Sequence, residues 1–157
     1  MSYTRLMQDI VGKYREAGQP WPAAKRTIAA WAVRNRVWQP QPSKLIDQCA
    51  DEIARAMREE YFTDPQGRRV RAKHAAKFVQ DGLQATLWGD IRSEDRRFFA
   101  VAFQQRRQQI LGECQQLKTD VDSFNENRNS GEAIQIVFDF TMDLAEIEAE
   151  KAQRLAS

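Results

Sequence analysis

The chain has 157 residues, enough for one domain or for one small domain with a long appendage. Hydrophobic residues make up 42% and charged residues 29%, with eight Phe and four Trp, so the composition can build a core and excludes pure disorder. No apolar run approaches the roughly 20 residues of a membrane span. The charged N-terminus does not resemble a signal peptide, and we expect a cytoplasmic protein.

The net charge of +2 hides an uneven distribution of charge along the chain. Residues 1–107 hold 20 Lys and Arg against 12 Asp and Glu, whereas residues 108–157 hold 4 against 10. This asymmetry indicates a basic working part followed by an acidic tail, although two ordinary solvated surfaces would give the same counts.

Three helices are predicted before residue 62. Apolar residues at helical spacing predict the first over 3–17, with Gly18 as its stop. The second begins near Pro22 and ends at Trp38, before a Gln-Pro-Gln-Pro sequence that a helix does not cross. The third has an apolar face formed by Leu45, Ile46, Cys49, Ile53, Met57 and Tyr61.

A β-hairpin is predicted next, because the hydrophobic period changes from helical to two. Asp64, Pro65 and Gly67 suit the first, second and fourth positions of a type I turn. Alternate residues from Val70 to Phe78 then point one way, and the basic residues between them point the other way. Asp81-Gly82 is a hairpin turn signal, and residues 83–88 form the returning strand.

A long helix is predicted from Ser93, as its N-cap, to about Arg128, roughly 50 Å in length. Heptad spacing gives it an apolar seam, composed of Phe103, Ile110, Leu117 and Phe124 at d with Ala100, Cys114 and Val121 at a. Arg107, a charged residue, occupies the remaining a position, where the seam would require an apolar side chain. Residues 134–140 could be strand or helix, and an acidic, fraying helix follows.

The seam needs a cover. Within one chain this would be the apolar face of the first helix, with the segment 134–144 folded back over the distal half. The alternative is the same seam of a second chain. In a parallel coiled coil Arg107 would meet its own copy, and the two charges would repel. We therefore favour the fold-back.

Three helices followed by a basic hairpin is the element order of a winged helix-turn-helix. Residues 3–90 resemble the HARE-type winged helix, a module fused to DNA-acting enzymes and chromatin proteins, through Ala17-Gly18-Gln19-Pro20, Ile28-Ala29 and Val37-Trp38. The resemblance implies that the hairpin is the wing. We expect a mainly α protein with a small β-hairpin, divided into a winged-helix-like basic domain over 1–92 and a long helix with an acidic tail over 93–157.

The basic strand face suggests a function. Cations on alternate strand residues are about 6.5 to 7 Å apart, which matches the spacing of phosphates along a DNA strand. We therefore predict a non-enzymatic protein that binds nucleic acid, with DNA the first choice and little sequence preference. The expected contacts are Arg68, Arg69, Arg71, Lys73 and Lys77 on the hairpin, with Lys25, Arg26, Arg34 and Arg36 on the second helix.

Two alternatives stay open. The charges could simply protect an edge strand from aggregation. Alternatively, the protein could be an interaction or assembly adaptor, with its long helix pairing with a protein partner or a second copy through Phe103, Ile110, Leu117 and Phe124.

Nothing in the sequence predicts an enzyme, a cofactor or a metal site. No phosphate-binding loop, nucleophile elbow or HExxH motif is present. His74 has no neighbours at ligand spacing, and we expect it on the inner strand face. Cys49 and Cys114 follow no CxxC pattern and are expected to be reduced and buried.

Overall fold

The computed structural model describes residues 2–157, and helices hold 57% of the chain beside a small antiparallel sheet component. The expected mainly α architecture with a long C-terminal helix is confirmed. The chain divides into two compact units, Met1–Arg55 and Ala56–Ser157, which are described separately. This division lies well before the boundary at 92/93 that the sequence suggested, because the hairpin shares its core with the long helix.

The first unit begins with two helices, α1 (Tyr3–Glu16) and α2 (Lys25–Arg34). The predicted apolar face of α1 is confirmed, since Ile10 and Tyr14 are buried. The Tyr14 hydroxyl donates to the Pro20 carbonyl at 2.9 Å, and its ring meets the Trp31 ring edge-on at 5.5 Å. Gly18 follows α1 with φ of 71°, which confirms the predicted stop.

The second helix is shorter than the sequence predicted. Arg36 adopts a left-handed φ of 57°, and the Val37 amide donates back to the Ala32 carbonyl at 3.0 Å. The Arg36 amide donates to Val33 in the same way. These bonds form a Schellman cap, which ends α2 before Trp38 and without a glycine.

A 3-10 turn at Pro42–Lys44 leads into α3 (Leu45–Arg58), which runs from the first unit into the second. No residue of α3 is buried, so the prediction that Cys49 is buried is wrong. The predicted helix also extends too far, because Tyr61 belongs to a strand.

Two hairpins replace the single predicted one. Strands β1 (Tyr61–Thr63) and β2 (Arg69–Arg71) pair around a turn in which the Gly67 amide donates to the Asp64 carbonyl at 2.9 Å. Strands β3 (Lys73–Gln80) and β4 (Leu83–Asp90) pair around Asp81-Gly82. Both turn residues have positive φ, 50° and 77°, as a type I′ turn requires.

The chain changes partners at Ala72, which is fully buried. Its amide donates to the carbonyl of Glu60, just before the first hairpin, and its carbonyl accepts from the amide of Ile91, just after the second. The predicted alternation along this stretch is nevertheless confirmed on the inner face, where Ala72, His74 and Ala76 are all buried.

The core of the second unit lies where α4 (Arg96–Asn127) packs on β3. Its central residues are Ala76, Phe98, Phe99 and Ala102. The N-cap of α4 is Asp95, whose side chain accepts from the Phe98 amide at 2.9 Å, and not Ser93 as predicted. Within residues 2–157 no helix combines the length and the apolar character needed to cross a membrane.

After α4 the chain reverses, and residues 134–140 are neither strand nor helix. Both backbone groups of Ile134 bond to the Asn125 side chain, at 2.9 Å for its amide and 2.8 Å for its carbonyl. The following residues line a groove against Lys118, Val121 and Asp122 of α4, so the segment does fold back. The last helix, α5 (Thr141–Ala156), has no buried residue.

Gly89 on β4 permits the close approach of α4. A β-carbon built at Gly89 would lie 2.8 Å from Phe98 Cε1 and 2.6 Å from Glu94 Cγ. Gly89→Ala should therefore displace Phe98 and destabilise the protein by about 1–3 kcal/mol in urea denaturation. A matched control is Gly112→Ala, where nothing lies within 4 Å. Because alanine favours helix, this change should be neutral or add up to about 1 kcal/mol. Equal effects of the two substitutions would contradict the packing described.

Candidate nucleic-acid interface

The nine basic residues predicted to bind nucleic acid are divided between the two units. The first unit holds Lys25, Arg26, Arg34 and Arg36, and all four are exposed. Nine residues at about 100° each place Lys25 and Arg34 on opposite sides of α2, so this helix has no single basic face. Arg36 lies beyond the helix in its left-handed cap.

The five basic residues of the second unit that were predicted as contacts lie on two different hairpins. Arg69 lies on β2, whereas Lys73 and Lys77 lie on β3, which pairs with a different strand. The two hairpins are separate two-stranded ribbons, and the chain passes from one to the other at Ala72. The predicted contacts are therefore shared between two ribbons.

Two of the five cations are neutralised by carboxylates. Arg68 Nε lies 2.7 Å from Asp64 Oδ2 across the first turn. Lys73 Nζ lies 2.8 Å from Glu60 and 2.9 Å from Asp90. The bond to Glu60, followed by the one to Asp90, raises the pKa of Lys73 above its ordinary value. Both side chains therefore hold the fold together and are poor candidates for phosphate contacts.

Asp90 joins β3 to the chain that follows β4. The Arg92 guanidinium binds it with two bonds, Nε to Oδ1 at 2.9 Å and Nη2 to Oδ2 at 2.7 Å, and the Arg92 amide adds a third at 2.8 Å. Lys73 Nζ donates a further bond to Asp90 Oδ2 at 2.9 Å. The bonds from Arg92, and then the one from Lys73, hold the pKa of Asp90 far below its usual range.

The other three cations of the hairpins form no ion pair within the part of the chain that the structure describes. The Arg69 guanidinium lies 4.6 Å from the centre of the Tyr61 ring. The side chain of Lys77 is exposed. Its backbone amide donates to Gln105 Oε1 of α4 at 2.7 Å, and its backbone carbonyl accepts from Gln105 Nε2 at 2.8 Å. This clamp fixes the backbone of Lys77 and leaves its ammonium group in solvent.

Arg71 is half-buried, and its Nε atom is buried with no hydrogen-bond acceptor among residues 2–157. Beside it is Arg106, one turn beyond Ala102 on α4. Burial lowers the pKa of Arg106, although part of the side chain remains exposed, and the charge of Arg71 lowers it further. Each of the two positive charges therefore disfavours the other, and no carboxylate of residues 2–157 pairs with either.

Sequence reasoning missed Arg106. Its spacing could have revealed it, because Phe99, Ala102 and Arg106 fall at i, i+3 and i+7 on one helix face. A cation on the core-facing side of an amphipathic helix lies at the edge of the buried surface. We call Arg69, Arg71, Lys77 and Arg106 the unpaired cations.

His74 lies next to these arginines on the inner face of β3, as expected. It is 7% exposed. The centre of its ring lies 5.4 Å from that of Phe99 and 5.5 Å from that of Phe103, and both rings meet it edge-on. Its Nε2 lies 2.8 Å from the Arg71 carbonyl oxygen. Burial lowers the pKa of His74, as do the charges of Arg106 and Arg71, against the opposing effect of the hydrogen bond. A neutral His74 leaves the local positive charge to the arginines.

Comparison with protein-family models, with curated proteins and with solved structures finds no match to this chain. The resemblance to the HARE-type winged helix accordingly stays a prediction, based on the residues named above.

Replacing Asp90 by Asn should lower stability near neutral pH. Because the folded pKa of Asp90 is depressed, its contribution is present above about pH 4 and is lost as pH falls further. The difference in urea midpoint between the wild type and Asp90→Asn should therefore narrow from pH 6 to about pH 2.5. Asp51→Asn, an exposed aspartate outside every ion pair of residues 2–157, is the control and should change little. If the difference in urea midpoint between the two proteins stays constant with pH, the charge of the Asp90 carboxylate does not contribute to stability.

Proposed function

We propose that the protein is a non-enzymatic nucleic-acid-binding protein whose unpaired cations contact the phosphate backbone. The observation that carries the proposal is the pair formed by Arg71 and Arg106, since the charge of Arg71 disfavours that of Arg106 and neither has a carboxylate partner among residues 2–157. A phosphate bound by the two guanidinium groups would supply the missing negative charge.

The proposed interface is smaller than the one inferred from sequence. It excludes Arg68 and Lys73, whose charges are already satisfied by carboxylates. It adds Arg106, and it lies wholly within the second unit. Contacts to phosphates fix the position of a protein on a duplex and carry no sequence information, so the proposal includes weak sequence preference. A winged-helix-like role for residues 3–90 stays part of this proposal but is not needed by it.

Changing the four unpaired cations to Gln should weaken binding to a random-sequence DNA duplex. The slope of log affinity against log salt should flatten by roughly 0.9 per lost contact, about 3 to 4 in total. Arg106→Gln alone should remove about one unit of the slope. Binding to single-stranded RNA, measured in the same salt series, distinguishes the two nucleic acids.

Arg68→Gln is the matched control, since it removes the same charge from an ion-paired position and should leave the slope unchanged. Circular dichroism and urea denaturation check that each variant is folded. If the fourfold variant is folded and keeps the slope of the wild type, the phosphate contacts do not exist.

A second candidate function is an interaction or assembly adaptor. It is favoured by the exposed apolar surface of residues 103–157, none of which is buried although many have large apolar side chains. A surface of this kind is typical of proteins that bind another chain.

A further inference from the structure

The apolar seam of α4 lies largely open to solvent. Its d residues are 47% exposed at Phe103, 54% at Ile110, 45% at Leu117 and 46% at Phe124. Leu111, beside the seam, is also exposed. Such a row of half-exposed side chains on one helix is larger than the scattered apolar residues of an ordinary surface.

The fold-back expected from sequence occurs but covers this seam only in part. Residues 134–138 lie against Lys118, Val121 and Asp122. The side chains of Leu117 and Phe124 remain about half exposed with the segment in place. The segment therefore reaches the distal half of the seam at Val121 and leaves the d residues there open to solvent.

The charges of α4 are separated along its length. Residues 96–107 carry four arginines, Arg96, Arg97, Arg106 and Arg107, and no acid. Residues 108–127 carry four acids, Glu113, Asp120, Asp122 and Glu126, against the single Lys118. A second α4 in parallel would place like charge beside like charge, whereas an antiparallel one places each basic half beside an acidic half.

The heptad positions also fit an antiparallel pair. If the two-fold axis passes beside residue 112, every a residue of one helix meets a d residue of the other. Cys114 then faces Ile110 of the second copy, and Val121 faces Phe103. Arg107 faces Leu117 and no longer its own copy, so the repulsion that argued against a coiled coil disappears.

We propose that α4 pairs with α4 of a second copy of this chain, antiparallel and centred near residue 112, to form a two-fold dimer. The paired seam covers Ile110, Leu117 and Phe124, and the long stem of Arg107 lies along Leu117 with its charge toward the acidic half. The proposal does not depend on nucleic-acid binding.

Sedimentation equilibrium of the full chain should give a dimer. Ile110→Gln and Leu117→Gln should each raise the dimer dissociation constant by at least about tenfold. Neither residue belongs to the buried core at Phe98 and Phe99, so both variants should keep their fold by circular dichroism. Ile46→Gln, an 84% exposed residue of α3, is the matched control and should leave the dissociation constant unchanged.

The orientation is tested by spin-label distances at single cysteines introduced as Gln108→Cys or Ser123→Cys, with Cys49 and Cys114 replaced by Ser. At 1.5 Å per residue, an antiparallel pair centred at 112 separates the two labels along the axis by about 12 Å at 108 and about 33 Å at 123. A parallel pair gives nearly equal distances at both sites.

Three results would overturn the proposal. The first is a monomer at every concentration, and the second is equal label distances at the two sites. The third is a dimer that both seam substitutions leave intact. All three are measured on the protein without DNA, so the dimer can fail while the effect of the cation substitutions on the salt slope stands.

Discussion

The contact between the first turns of α4 and strand β3 is the constraint on which the second unit depends. Each two-stranded ribbon is marginal alone, since stable sheets need more strands or a covering helix. Phe98 and Phe99 supply that cover over Ala76, at a distance that only a glycine at position 89 permits. Gln105 then ties the outer edge of β3 to the helix through Lys77. The helix thus replaces the missing strand both in packing and in hydrogen bonding.

The same contact explains why the rest of α4 is exposed. A strand of eight residues spans about 26 Å, and the core residues of α4 occupy only its first two turns. The helix has 32 residues and is therefore about 48 Å long. Its distal part extends past the residues that could bury it, yet keeps the apolar spacing of a packed helix. These apolar side chains need a surface to pack against, and the fold-back segment of this chain supplies one only on one side of the helix.

The sequence predicted elements whose signals are local. Apolar spacing located α1, and Asp81-Gly82 located the type I′ turn, because only adjacent residues decide these features. The prediction was wrong where contacts between residues far apart in the chain decide the structure. Tyr61 continues the helical spacing of α3 but pairs with Arg71 ten residues away, and alternation cannot show that Ala72 changes partners. The ion pairs of Lys73 in the candidate site were missed for the same reason, since Glu60 and Asp90 are 13 and 17 residues distant in sequence.

The difference between Lys73 and Lys77 shows what a count of charges omits. Both are lysines on one face of one strand, but Lys73 is held by Glu60 and Asp90, and Lys77 has an exposed ammonium group. Only a charge without a partner can release counterions from DNA on binding. A two-fold dimer would carry Arg69, Arg71 and Lys77 twice, and the second set would bind a long duplex at an effective concentration set by the rigid helix pair. Dimerisation through α4 would then strengthen a contact that each copy makes weakly, without adding any base-specific interaction.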